Sequence, residues 1–293
     1  MKQCIFTGSG VAIVTPFTED GIDYDKLGEL IEFQIREKTD AIVICGTTGE
    51  ASTMPDDEHI SAIEYAVKKV AGRLPVIAGT GSNDTRHAIH ISKRAQEVGS
   101  DAILSVTPYY NKTTQRGLYE HFKMIAESLS IPVILYNVPS RTNLNINPDT
   151  VQKLSRIENI VAIKECNLNQ IGEIINLCGE DFTVYSGEDG LIVPCMALGG
   201  KGVISVMANI IPHDTHEIAA KMLDENLVEG RRLQLKTLEL IKALFIEVSP
   251  IPVKEAMNQM GLHVGKCRMP LVDISDGNKD ILLKAMKNYG IIR

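Results

Sequence analysis

Lys164 ends a short apolar run, where a charged side chain is costly to bury. Residues 159–165 read NIVAIKE, so a lysine follows four residues typical of a buried strand. Burial disfavours the ammonium form, and a neutral lysine amine is a nucleophile that can form a Schiff base with a carbonyl carbon. The alternative is a lysine that extends its head group to solvent or pairs with Glu165. The rest of the chain has to decide between these two interpretations.

Residues with useful chemistry also follow other apolar runs. Residues 46–50 read GTTGE, and Thr47 and Thr48 supply two hydroxyls and successive N–H groups that suit a carboxylate. Tyr136 ends another run, and its hydroxyl could move protons to and from a Schiff-base intermediate. Arg141 follows it with a planar pair of donors for a second carboxylate. Each residue also has an ordinary structural interpretation: an empty glycine-bracketed turn, a core tyrosine or a surface arginine.

Taken together, these residue types favour one kind of reaction. A lysine, a tyrosine and a carboxylate-binding turn indicate carbon–carbon bond formation through an enamine of a 2-oxo acid. Thr47 and Tyr110 could extend a hydrogen-bonded relay from Tyr136, whose hydroxyl needs help to ionise.

The composition excludes several other classes of protein. The chain has 293 residues, 44% hydrophobic and 23% charged, which is ordinary for a globular enzyme. Its net charge is −7 with no basic block, so we expect no nucleic-acid partner. No run approaches the roughly 18 apolar residues of a membrane span, so we expect no membrane partner.

Neither cysteines nor histidines form a convincing metal site. The six cysteines include no Cys-x-x-Cys pair, which argues against a zinc ribbon or a disulfide framework and predicts a reducing cytoplasm. Cys166 lies near Lys164, but buried inert cysteine is the commoner state, and the sequence leaves any redox role open. His213 and His216 have metal-like spacing, but only Asp214 and Glu217 lie close to them in sequence. We therefore expect no metal and no organic cofactor.

The pattern of elements predicts an α/β fold. Eight β-rich runs alternate with helical patterns, at residues 10–14, 41–44, 75–78, 102–106, 132–136, 161–164, 183–186 and 202–206. Several runs are continuously apolar, as is typical of parallel strands covered on both faces. Eight such units are most simply closed as a (β/α)8 TIM barrel. A doubly wound open sheet is the competitor, but no Gly-x-Gly-x-x-Gly follows the first run.

The strand patterns stop near residue 225. We therefore predict a barrel catalytic domain over residues 1–225 and a C-terminal helical extension over residues 226–293. In TIM-barrel enzymes the active site lies at the carboxyl ends of the strands, which is where the candidate residues fall.

At this point the chain resembles the dihydrodipicolinate synthase family of pyruvate-dependent class I aldolases. Four motifs in order carry the resemblance: residues 46–50 (GTTGE), 107–111 (TPYYN), 136–142 (YNVPSRT) and 163–165 (IKE). The resemblance spans essentially the whole chain. It implies a lyase that condenses pyruvate with L-aspartate 4-semialdehyde in the diaminopimelate route of lysine biosynthesis.

The resemblance also implies the catalytic roles. Lys164 would form the imine with pyruvate, and Tyr136 would donate and accept protons. Thr47 and Tyr110 would complete the relay. The family residue at Tyr110 reaches the site of a neighbouring subunit, which implies a homo-oligomer, usually a tetramer built from dimers.

Substrate-binding roles follow in the same way. Thr48, with Thr47, would hold the pyruvate carboxylate, and Arg141 would receive the carboxylate of the semialdehyde. The main chain of Ile204 and Gly187 would border the bound substrate.

Two departures from the family pattern matter. Asn143 stands where the family commonly has glycine, and asparagine tolerates the left-handed backbone region. Family members that lysine inhibits bind it at a subunit interface with a histidine and a glutamate, and the matching residues here are Asp56 and His87. Without a carboxylate at position 87, we predict weak or absent inhibition by lysine.

Two rival functions remain. A sister enzyme, such as N-acetylneuraminate lyase or a keto-deoxy sugar acid aldolase, would share the barrel, Lys164 and Tyr136; Thr47, Arg141 and Glu165 favour the synthase. A non-catalytic barrel that senses a small oxo acid is the other rival, although a sensor has no need of a proton relay.

Overall fold

The computed structural model describes residue 2 and residues 4–293. Its strands are β1 (Gly8–Ala12), β2 (Phe17–Thr18), β3 (Gly21–Ile22), β4 (Ala41–Ile44), β5 (Val76–Gly79), β6 (Ala102–Val106), β7 (Val133–Asn137), β8 (Ile160–Glu165), β9 (Thr183–Ser186) and β10 (Gly202–Ser205). Its α-helices are α1 (Tyr24–Arg36), α2 (Asp56–Val70), α3 (Thr85–Glu97), α4 (Gln115–Glu127), α5 (Pro139–Thr142), α6 (Pro148–Leu154), α7 (Ile171–Cys178), α8 (Ile192–Ala197), α9 (Pro212–Leu223), α10 (Leu227–Lys236), α11 (Leu238–Leu244), α12 (Ile251–Gln259) and α13 (Asp276–Tyr289).

Eight of these strands form one closed barrel. The order around the ring is β1-β10-β9-β8-β7-β6-β5-β4, and each neighbouring pair is parallel. The predicted TIM barrel is therefore confirmed and the open sheet is wrong. The eight predicted runs match the barrel strands closely; the largest difference is β1, which begins at Gly8 rather than Gly10. The sequence patterns did not predict the short β2–β3 hairpin.

Large apolar side chains fill the barrel interior, as the strand patterns require. One buried cluster includes Ile77, Leu104 and Ile134 together with Tyr185 and Phe6. The ring of Phe6 stacks on Tyr185 with centroids 4.3 Å apart, and the Tyr185 hydroxyl donates to the Phe6 carbonyl oxygen at 2.8 Å. Because Phe6 precedes β1, this stack closes the amino-terminal end of the barrel.

Helices cover the outside of the ring, and aspartates cap the starts of two of them. Asp23 caps α1 by accepting from the Lys26 N–H at 2.9 Å, and Asp84 caps α3 by accepting from the Arg86 N–H at 2.9 Å. These caps satisfy N–H groups that the first helical turn leaves without partners. In the part of the chain that the structure describes, no helix is long and apolar enough to cross a membrane.

Helices α10 to α13 form the C-terminal region, with Pro252 in the first turn of α12. The division at residue 225 falls in the turn between α9 and α10 and remains a proposal.

A buried ion pair fastens this region to the barrel. Lys254 on α12 is only 1% exposed, and its amine donates to the Glu50 carboxylate at 2.9 Å. The same amine donates to the carbonyl oxygens of Thr15 at 3.0 Å and Lys266 at 2.7 Å, while the Arg268 N–H donates to the other Glu50 oxygen at 2.8 Å. Glu50 ends the GTTGE turn, so the pair holds one wall of the predicted site.

Lys254→Met is expected to lower the free energy of unfolding by about 3–5 kcal/mol, because the Glu50 carboxylate would stay buried without its partner. The exposed Lys242→Met is the control and should change the free energy by less than about 0.5 kcal/mol. Unfolding in urea measures both. Equal stabilities for the two variants would show that the pair does not hold this wall.

Candidate active site

Strands β7 and β8 place Tyr136 and Lys164 side by side. The two residues are direct partners in the parallel register, and alternation along the strands puts both in the barrel interior. Lys164 is 6% exposed, and its amine nitrogen lies 4.5 Å from the centroid of the Tyr136 ring. The lysine therefore does not extend to solvent, as the alternative interpretation required.

Glu165 takes no part in an ion pair with Lys164 either. It lies one residue later on β8, and its buried carboxyl accepts hydrogen bonds from the side-chain amides of Asn137 at 2.8 Å and Gln170 at 2.9 Å. The two neighbouring residues of β8 thus lie in different environments. The Lys164 amine lies inside the ring, and the Glu165 carboxyl lies in a separate polar network.

The Tyr136 hydroxyl lies between the Thr47 side chain and the Lys164 amine. Burial raises the pKa of Tyr136, while the nearby Lys164 amine and a hydrogen bond with the Thr47 side chain oppose that rise. These opposing influences act on one hydroxyl that lies beside the candidate nucleophile. The predicted contact between Tyr136 and Thr47 is thus present within a single chain.

The GTTGE turn lies across the barrel mouth from β8 in the form that the sequence suggested. Thr48 is buried and Thr47 is exposed toward the opening. Among the described residues, the main-chain N–H groups of Thr47 and Thr48 donate to no other group. Two adjacent free N–H groups with a hydroxyl beside them are suited to a carboxylate oxygen.

Gly187 follows β9, the strand next to β8, and Ile204 lies one strand further along the ring, on β10. A Cβ atom at position 187 would lie 3.2 Å from Cε of Lys164 and would overlap the sulfur of Cys166, so only glycine leaves room for the lysine stem. Ile204 on β10 is fully buried in the same interior cluster as Tyr136. The structure therefore places Gly187 against the candidate nucleophile and Ile204 in the same buried cluster as Tyr136.

Arg141 lies on α5 at the rim of the site. Its side chain is exposed, and one guanidinium nitrogen donates to the Ser249 carbonyl oxygen at 3.1 Å. Asn143 follows α5 in the left-handed region with a φ of 52°, as the departure from glycine predicted. Asn143 thus ends the short helix that carries Arg141.

Tyr110 is not part of this assembly within one chain. It is 91% exposed and adopts a φ of 68°. In the part of the chain that the structure describes, it does not line the cavity that contains Tyr136. The relay contact from Tyr110 therefore remains a prediction.

A cavity of about 640 Å³ opens at the carboxyl ends of the strands. Thr47, Tyr136 and Arg141 line one part of it. Asp56 and His87 line another part, and His87 Nε2 lies 3.0 Å from an Asp56 carboxylate oxygen. The two candidate regions therefore share one continuous space.

Sequence patterns missed two carboxyl groups near Lys164. Burial raises the pKa of Glu188, which hydrogen bonds to Cys166, and burial also raises the pKa of Asp189. One Asp189 oxygen accepts from the N–H groups of Val206 at 3.1 Å and Met207 at 2.8 Å, which fixes the end of β10. The position of Glu188 and Asp189 shortly after β9 is the sequence feature that could have identified them.

The Cys166 thiol lies beside the site. Burial raises its pKa to about 12, so the thiol is protonated near neutral pH. His216 of the metal-like pair instead contacts Asp40, with Nδ1 2.9 Å from a carboxylate oxygen. Among the described residues, no group of three or more potential ligands is arranged to hold a metal.

The fold and the site define a class, the (β/α)8-barrel enzymes that carry an interior lysine at the carboxyl ends of the strands. The chain belongs to the dihydrodipicolinate synthetase family, whose family model matches residues 5–289. It is 70% identical over 292 residues to the 4-hydroxy-tetrahydrodipicolinate synthase of Acetivibrio thermocellus, and the match covers 100% of both chains.

Solved structures agree with this membership. The crystal structure of dihydrodipicolinate synthase from Aquifex aeolicus matches with a TM-score of 0.95 and 49% identity, covering 98% of this chain and 99% of the other. The chloride-inhibited dihydrodipicolinate synthase from Acinetobacter baumannii, complexed with pyruvate, matches with a TM-score of 0.95 and 43% identity, covering 98% and 99%.

Tyr136→Phe is expected to lower kcat by about 100-fold or more, because a positioned acid–base group typically contributes at least that much. Tyr185→Phe is the matched control, since Tyr185 is also in register with Lys164 but directs its hydroxyl to Phe6. It should keep its kcat and lose about 1 kcal/mol of stability with the hydrogen bond. Steady-state kinetics decides, and a fully active Tyr136→Phe enzyme would refute the relay.

Proposed function

We propose that this chain condenses pyruvate with L-aspartate 4-semialdehyde, the reaction of a 4-hydroxy-tetrahydrodipicolinate synthase. The observation that carries this proposal is the pairing of Lys164 and Tyr136 inside the closed barrel, 4.5 Å from amine nitrogen to ring centroid. Family membership and the 70% identical relative of that name support the substrate assignment.

In the first half of the reaction, the Lys164 amine attacks the ketone carbon of pyruvate. Loss of water from the resulting carbinolamine gives an imine, and the Tyr136 hydroxyl supplies the proton that the leaving water needs. Removal of a proton from the pyruvate methyl group then gives an enamine. The N–H groups of Thr47 and Thr48 hold the pyruvate carboxylate in place, and the complex of the Acinetobacter baumannii relative with pyruvate supports this substrate.

In the second half, the enamine carbon attacks the aldehyde carbon of the semialdehyde. Arg141 at the rim binds the carboxylate of this second substrate, so that its aldehyde faces Lys164. The amine of the semialdehyde then attacks the imine carbon, closes the ring and releases Lys164. Each step transfers protons without any oxidant or reductant.

The proposed assembly is a homo-oligomer, a tetramer built from dimers. Tyr110 supports this assembly, because its large aromatic side chain is 91% exposed beside the active-site mouth. Such an exposed apolar group is typical of a contact with another protein chain. In the assembly, Tyr110 would enter the partner subunit's site and complete the relay from Tyr136 and Thr47. The cytoplasmic location remains a prediction from the cysteines.

Reduction with borohydride in the presence of pyruvate tests the mechanism directly. We expect a stable adduct on Lys164 by mass analysis of peptides, because borohydride converts the imine into a secondary amine. Lys164→Ala should remain folded, form no adduct and lose nearly all activity. An adduct on another lysine would contradict the proposed nucleophile.

The same preparation separates the rival functions. Turnover of pyruvate with aspartate semialdehyde, and none with sialic acid, would support the synthase over a sister aldolase. Absence of any turnover, despite binding of pyruvate, would favour the sensor.

Inhibition by lysine is proposed to be weak or absent. Asp56 and His87 contact one another in the cavity, so the only carboxylate of the pair already has a partner. We expect no inhibition at sub-millimolar lysine, whereas the double variant Asp56→His with His87→Glu should gain sensitivity because it restores a carboxylate at position 87. Initial rates measured against lysine concentration test this, and strong inhibition of the unaltered enzyme would oppose it.

A further inference from the structure

Directly outside the two catalytic residues lies a second layer of polar side chains. Tyr136 and Lys164 face the barrel interior, so Asn137 and Glu165, one residue later on the same strands, face the helices. Both are fully buried, and the Asn137 side-chain amide donates to a Glu165 oxygen at 2.8 Å. This bond ties together the ends of β7 and β8.

The Glu165 carboxyl receives only donors. One oxygen accepts from the Asn137 amide and from the Asn167 N–H at 2.6 Å, and the other accepts from the Gln170 amide at 2.9 Å. A deprotonated carboxylate has acceptor sites for all three. If either Glu165 oxygen were protonated, or if an amide replaced the carboxyl, a donor on residue 165 would face one of these three donors.

Asn137 links the Glu165 carboxyl to the loop that carries Arg141. Its side-chain oxygen accepts from the Ile146 N–H at 3.0 Å, and its amide also donates to the Asn145 side chain at 2.9 Å. Gln170 holds the same stretch, since its amide donates to the Ile146 carbonyl oxygen at 3.0 Å. Residues 138–145 therefore form a closed loop, whose base is fixed at Asn137 and Ile146 and which contains α5 with Arg141.

We propose that Glu165 is a positioning residue for the second substrate: through Asn137 and Gln170 it fixes the loop that aims Arg141. It touches no substrate itself and acts on the loop through these two amides. The proposal rests on the proposed function, because it assumes that Arg141 binds the semialdehyde carboxylate. It deepens that function by assigning a buried residue to recognition of one substrate and not the other.

The electrostatics give this role a pH dependence. Burial raises the pKa of Glu165 to about 7, and the hydrogen bonds from Asn167, Gln170 and Asn137 oppose that rise. As pH falls through this value the carboxyl gains a proton and loses part of its acceptor capacity. The titratable groups nearby are Lys164 on the same strand and the thiols of Cys166 and Cys195, whose pKa values burial raises to about 12.

Glu165→Gln tests the proposal with a side chain of nearly the same shape. We expect KM for the semialdehyde to rise about tenfold, because the variant misplaces a charge-assisted contact. Borohydride trapping of pyruvate on Lys164 should be unchanged, since Lys164 and Tyr136 keep their contacts. Glu173→Gln on α7, an exposed carboxyl in the next helix, is the matched control and should leave KM unaltered.

A pH series provides a readout that a merely structural role would not move. In the unaltered enzyme, KM for the semialdehyde should rise as pH falls through about 7 and approach the value of Glu165→Gln. The variant should lack this rise, because an amide does not titrate. This readout from the unaltered enzyme also keeps the proposal testable should Glu165→Gln fail to fold.

A second variant tests the direction of the hydrogen bond. Glu165→Gln combined with Gln170→Glu reverses donor and acceptor between these two positions, so KM should recover in part, limited by the lost donor to Ile146. An unchanged KM in folded Glu165→Gln, a KM independent of pH in the unaltered enzyme, or no recovery in the folded double variant would each overturn the proposal. Failure of the proposed function would look different, since the unaltered enzyme would then show no trapping or no turnover.

Discussion

The structure depends on one constraint, the confinement of a lysine amine inside a closed ring of parallel strands. A closed ring has no free edge, so strands pair on both sides of β8, and Lys164 is only 6% exposed. Successive side chains alternate across each strand, so the candidate catalytic side chains lie inside the ring and the polar side chains that follow them lie outside it. Tyr136 and Lys164 face inward, while Asn137 and Glu165 form the polar layer behind them.

Much of the fold could be predicted because it follows from local patterns. Continuous apolar runs and the capping residues Asp23 and Asp84 depend on neighbours within a few positions, so strands and helix starts appear in the sequence itself. The short β2–β3 hairpin could not be predicted, because strands of two residues are too short to show a periodic pattern. Of the candidate site, Lys164, Tyr136, Thr47 and Gly187 do come together in one chain, since strand ends of a barrel must meet.

What sequence patterns could not predict are contacts between distant segments. Lys254 lies in an apolar stretch of α12, and nothing near it in sequence identifies Glu50, 204 positions away, as its partner. Likewise, the sequence gives no sign that the polar residues 145, 167 and 170 belong to one network. The fold brings them together near Glu165. Tyr110 marks a further limit, because its surroundings are not set by one chain.

The stack of Phe6 on Tyr185 has a consequence for how the chain reaches its native state during synthesis. The two residues are 179 positions apart, and β1 pairs with β10 as well as with β4. A ribosome must therefore deliver about 70% of the polypeptide before its first strand can acquire both neighbours. Until then the early segments expose unpaired edges, which is the state in which nascent barrels are most exposed to aggregation and most dependent on chaperones.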